Sequence, residues 1–164
     1  MNGTECRMEG DSDYWRKNLA VLREKYPALA EQALNERDKA GGQSDPVNDT
    51  IRIEQAASGD PALTINGTHI HSNRDPVREG RRQAEAVLSQ AGANGAFVAL
   101  GFGLGYGAEA LAKAAGSRPL IIVERRPVLF RLALECRNME TFLSSGRLIF
   151  VMGGEATGIS GALY

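Results

Sequence analysis

The sequence predicts an α/β protein in two parts. An N-terminal α+β region, helix plus antiparallel meander, precedes a partial parallel sheet of strand–helix–strand–helix–strand order. Three observations predict this. Residues 97–100 (FVAL) and 120–124 (LIIVE) are apolar runs with an Ala-rich helical stretch between them. Alternating glycines, Gly101, Gly103, Gly105 and Gly107, stand where the first run meets that helix. Upstream, short alternating runs flank Asn66–Gly67, the strongest short hairpin signal a sequence carries.

Taken in order, residues 1–12 are polar and are expected to be disordered, although Ser12 or Asp11 is placed to cap a helix. Trp15, Leu19, Leu22 and Tyr26 then recur at helical spacing, a stripe for burial. Pro27 interrupts, so residues 13–38 read as two short helices or one kinked helix. Residues 39–49 are rich in Gly, Ser, Asp and Pro and form a loop. Ile51 and Ile53 alternate with Arg52 and Glu54, Leu63 and Ile65 alternate again, and His69, Ile70 and His71 make the return strand.

Asp75 and Pro76 mark the next helix start, as cap and first residue. Its buried face is Ala84, Val87, Leu88 and Ala91. Arg78, Arg81 and Arg82 fall in its first two turns, where the helix dipole disfavours cations. Either they contact an anion, or Glu79, Glu85 and solvent neutralise them. His69 and His71 lack a third ligand for a metal site.

The glycine turn comes next. Gly103 to Ala108 reads G-x-G-x-x-A, and Gly101 to Gly105 reads G-x-G-x-G. Residues without Cβ let the backbone turn sharply and approach a ligand closely, and amides at a helix start face an anion. Glu124 stands roughly 20 residues beyond the turn, where a carboxylate accepts from ribose hydroxyls in nucleotide-binding folds. The pattern is therefore that of a Rossmann-like half, 93–164, after an N-terminal α+β domain, 13–92. It suits a nucleotide, a nucleotide-sugar or S-adenosylmethionine equally, and glycines of this kind also serve close helix–sheet packing. Pro127 starts a further helix with Leu129, Leu132, Ala133 and Cys136 on one side, a short helical piece spans 139–144, and Leu148–Met152 is the third strand. Only one half of a doubly wound sheet is present, with its last strand an open edge. That edge leads to the expectation of a longer parent protein or of a homo-oligomer joined through the sheet.

Composition bounds the function. The net charge of −1 gives no case for nucleic acid or an anionic membrane surface. The first 60 residues carry an acidic excess and the remainder a basic one, on the side of the glycine turn. Two distant cysteines, Cys6 and Cys136, form no disulfide framework, which points to a reducing, cytoplasmic compartment with Cys136 in the core.

The segments YWRKNLAVLREKYPAL, ALTINGTHIHSNRDPVREGRRQAEAVL, VALGFGLGYGAEAL and LIIVERRPVLFRLALE resemble the bacterial motility accessory factor (Maf) proteins, grouped with the 6-hydroxymethylpterin diphosphokinase MptE-like domain. The resemblance spans residues 13–152. Its most distinctive pieces are H-S-x-x-D-P-x-x-E at 71–79 and the G-x-G-x-G turn with its downstream Val-Glu. It implies a cytoplasmic glycosyltransferase that moves a nonulosonic acid from a CMP-sugar donor to Ser/Thr of flagellin. On that basis Gly101, Gly103, Gly105 and Tyr106 line the nucleotide pocket, Glu124 lies near ribose or base, and Ser72, Asp75 and Arg78 sit close by. No catalytic residue is assigned, and this portion alone is expected to be inactive. Gly80 departs from the Ala expected of the family, which loosens the helix. Competing readings are an S-adenosylmethionine-dependent methyltransferase-like domain, a pyrophosphokinase needing Mg²⁺ on carboxylates, and a non-catalytic interaction module.

Overall fold

A computed structural model describes residues 12–40, 49–145 and 147–154. The architecture is α/β, with an antiparallel three-stranded sheet and a parallel three-stranded sheet. The elements run α1 (Asp13–Lys25), α2 (Pro27–Ala40), β1 (Ile51–Gln55), β2 (Pro61–Ile65), β3 (Thr68–His69), α3 (Pro76–Gln90), β4 (Phe97–Leu100), α4 (Tyr106–Ala114), β5 (Leu120–Glu124), α5 (Pro127–Cys136), α6 (Glu140–Leu143) and β6 (Leu148–Met152).

The N-terminal stretch divides at Pro27 into two helices. Ser12, one of the two residues placed to cap the first helix, stands at its N-cap. Its hydroxyl accepts from Trp15 N at 3.1 Å and donates to Glu135 O at 2.9 Å, so it caps α1 and ties it to α5. The rest of the stretch expected to be disordered, 1–11, lies outside the described residues, as do 41–48. Trp15, Leu19 and Leu22 are buried as their spacing predicts. Asn18 shares their face and is fully buried. Its amide donates to Leu134 O and Arg137 O and accepts from Met139 N, at 2.7–2.8 Å, so α1 holds the α5–α6 junction through a polar group with its partners in place.

The hairpin closes at Asn66 and Gly67, both with positive φ, the geometry of a type I′ turn. The return strand is shorter than predicted. It ends at His69, and Ile70 and His71 N–H both turn onto Leu63 O. In the parallel sheet, β4 pairs β5 and β5 pairs β6 in sequential order. Right-handed crossovers that advance in one direction put both connecting helices on the same face. Accordingly Phe97, Leu120, Ile122 and Leu148 are buried, while Val98, Leu100 and Ile149 on the other face are 56%, 82% and 45% exposed. On the helix-covered face, Tyr26 packs edge-on against Phe150 beside Phe130 of α5, and Gln32 of α2 reaches Met152 O at the end of β6.

Gly80 has a packing role rather than a loosening one. A Cβ there would lie 2.7 Å from the carbonyl carbon and oxygen of Tyr106, so its absence lets α3 close on the start of α4. Cys136 at the end of α5 is half-buried rather than a core residue. One apolar cluster runs from Trp15 through Leu63 and Phe102 to Leu148.

Candidate functional site

The carboxyl ends of β4, β5 and β6 form the place where open α/β sheets bind ligands. Three segments meet there: Leu100–Gly101 at the end of β4, Arg125–Arg126 after β5 and Gly153–Gly154 after β6. Leu100, Gly101, Arg125 and Gly154 are exposed. Gly101 has a φ of +86°, and a Cβ on it would meet nothing within 4 Å, so the strand end turns into open space. Arg126 is held to one side by an ion pair with Asp49 at 3.0 Å.

Behind this rim the glycine turn folds inward. Gly103 and Gly105 are buried, with φ of +55° and +82°. A Cβ on Gly103 would lie 2.8 Å from His71 Nε2, and one on Gly105 would lie 2.6 Å from Phe102. These glycines admit the protein's own side chains at close range. Glu124 is 4% exposed. Its Oε2 accepts from Phe102 N at 2.7 Å and from Gly103 N at 3.4 Å, and its Oε1 accepts from Arg126 N at 2.8 Å. Leu104 N donates to His71 Nε2 at 2.9 Å, and Gly105 N donates to Phe102 O at 2.8 Å.

His71 accepts through Nε2 only as the neutral imidazole with its proton on Nδ1. Burial pushes its pKa down to about 4, with Arg137 adding to the fall and Glu79 opposing it. Its ring meets Tyr106 edge-on, at a centroid distance of 5.2 Å. Tyr106 is itself buried, which raises its pKa, and its hydroxyl donates to Pro61 O at 2.7 Å. The tyrosine thus ties the antiparallel sheet to the start of α4. Arg137 stacks on its ring at 3.8 Å and donates to Leu104 O at 2.6 Å.

The motif at 71–79 is a helix start. Ser72 Oγ accepts from Arg74 N and Asp75 N, Asp75 accepts from Arg78 N at 2.8 Å, and Glu79 accepts from Ser72 N at 2.8 Å. Asp75 and Pro76 stand as predicted, at cap and first position. The face of α3 that carries Gly80 and Gln83 meets α4, whereas Arg78, Arg81 and Arg82 are exposed. Among the predicted site residues, the structure therefore brings Gly101, Gly103, Gly105, Tyr106 and Glu124 together. Ser72 and Asp75 join through the segment that carries His71, and the Arg78 guanidinium stays outside. The two histidines part company, since His69 Nδ1 lies 3.3 Å from Thr64 Oγ1. The reading from residues missed His71 and Arg137 as partners of Leu104, both 33 positions away. The signal for His71 was its place as the first residue of the motif at 71–79. An open concavity of about 460 Å³ lies at the amino end of β4, between Val87, Gln90, Phe97 and Arg118, away from this rim.

No protein-family profile matches the chain. A Treponema pallidum (strain Nichols) protein, described as uncharacterized, is 29% identical over 136 residues, covering 82% of this chain. The chain spans about half of that relative's length, 46%. The structure of a Maf glycosyltransferase from Magnetospirillum magneticum AMB-1 matches with a TM-score of 0.57 at 15% identity. That match covers 92% of this chain and 29% of the other. The chain therefore shares its fold with a portion of a Maf glycosyltransferase.

Proposed function

We propose that this chain forms part of a Maf-type, nucleotide-sugar-dependent glycosyltransferase and binds the donor across the carboxyl ends of β4–β6. The supporting observation is the fold likeness, which extends over 92% of the chain. The donor is a CMP-activated nonulosonic acid and the acceptor a Ser/Thr hydroxyl of flagellin, met in the cytoplasm. Exposed Leu100 and Gly101 offer an apolar and sterically open seat, and Arg125 offers a cation for the phosphate. Transfer requires stabilisation of the leaving phosphate and a base for the acceptor hydroxyl. This reading assigns the first task to the rim and leaves the base to other parts of the parent enzyme.

One observation favours a second reading. The amides of the turn are already matched to Glu124 and His71, which suits a ligand without a phosphate, such as S-adenosylmethionine. Calorimetric titration of the 164-residue chain with CMP, S-adenosylmethionine, ATP and NAD separates the two. The expected result is saturable CMP binding, weakened about tenfold in Arg125→Ala, the size of one charge-assisted contact. Binding of S-adenosylmethionine without CMP would replace the glycosyltransferase reading with the methyltransferase-like one.

A further inference from the structure

We propose that Glu124 and His71 close the glycine turn to phosphate from within, making Glu124 a specificity-determining residue of the nucleotide site. The inference rests on the nucleotide reading above for its ligand, but its geometry stands apart from that reading. In phosphate-binding glycine turns the backbone amides at the helix start point at the anion. Here the successive amides of Phe102, Gly103, Leu104 and Gly105 all have acceptors inside the protein. Two of them converge on one carboxylate oxygen of a buried residue, so an anion already occupies the place a phosphate would take.

At the first turn of α4, Tyr106 and Ala108 are buried, Gly107 is half-buried, and Gly80 brings the α3 backbone against Tyr106. A second anion would need to displace Glu124 or lie beside its charge with no amide of the 102–105 turn left to accept. A nucleotide seated at this end of the sheet therefore meets Leu100 and Gly101 through its base or ribose. Its phosphate faces away from the turn, toward the exposed Arg125.

The test is an amide-resolved NMR titration of the ¹⁵N-labelled chain with inorganic pyrophosphate, cytidine and CMP. The amides of Phe102, Gly103 and Leu104 are expected to stay in place with all three, while cytidine and CMP move Gly101. Displacement of the three turn amides by pyrophosphate or CMP, as large as that of Gly101, would overturn the proposal. If the turn amides stay silent under pyrophosphate and neither cytidine nor CMP moves Gly101, closure is supported and the nucleotide reading is the one that falls. Glu124→Ala supplies the converse. Wherever the variant retains its fold, pyrophosphate affinity should rise by at least about tenfold over wild type, and an unchanged affinity counts against closure. The wild-type titration decides the matter even where the variant does not fold.

Discussion

His71 shows how one side chain carries several duties. It fills the space beside Gly103, accepts from Leu104 N and lies edge-on to Tyr106. The hydrogen bond from Leu104 N needs the neutral ring. The folded-state pKa of about 4 lies below the free value of 6.5, so the unfolded chain binds the proton more readily between those limits. The stabilisation is complete above the free value, and it is lost as pH falls toward the folded one. Its full size is roughly 3 kcal/mol. Urea unfolding of wild type and His71→Gln between about pH 7 and pH 4.5 measures it. Wild type should lose more stability than the variant over this window, and parallel losses would assign the acid sensitivity to other groups. Asp75 was legible at this scale because an N-cap acts on its own helix. The hydrogen bond of His71 was not, because its partner arrives from a distant segment.

At the scale of elements, the contact of α3 with α4 rests on Gly80. In a helix interior Ala is preferred to Gly by roughly 0.5–1 kcal/mol. Gly80→Ala should nonetheless destabilise the protein by about 1–3 kcal/mol, because its Cβ would strike the Tyr106 backbone, which cannot yield without moving α4. Gly107 is the contrast. A Cβ there meets only Oε1 of Gln83, the far end of a flexible side chain, so Gly107→Ala should range from neutral to about 1 kcal/mol stabilising. Thermal or urea unfolding of the two variants checks the pair, and equal effects would remove the packing account. The elements themselves were legible from periodicity: β5, β6 and the split at Pro27 followed from local pattern. The tight approach of α3 was not, since a glycine at a helix contact reads in sequence like any weak helix former.

Among the described residues, one face of the parallel sheet is buried and the other is partly exposed, with Val123 buried on it. Val98, Leu100 and Ile149 contribute apolar surface where parallel sheets ordinarily carry a covering layer. Replacing all three by Thr should change unfolding stability by less than about 1 kcal/mol, since exposed side chains contribute little. It should also lower the binding of a hydrophobic dye. A large loss of stability would show that the face is covered in solution. No helix among the described residues is long and apolar enough to cross a membrane.

Sequence by itself determined the order and type of the elements, the hairpin at Asn66–Gly67, the cap at Asp75 and the glycine turn between β4 and α4. All of these depend on interactions within a few residues, which spacing and residue type express directly. Only the tertiary structure decided what the turn holds. The Glu124 carboxylate is consistent with ribose binding when read along the chain, yet in space it lies beneath the turn and takes the amides of Phe102 and Gly103. The reason is physical: a β-strand and its neighbour exchange partners across the sheet, so the direction a carboxylate takes at a strand end depends on which donors the adjacent loop brings within reach.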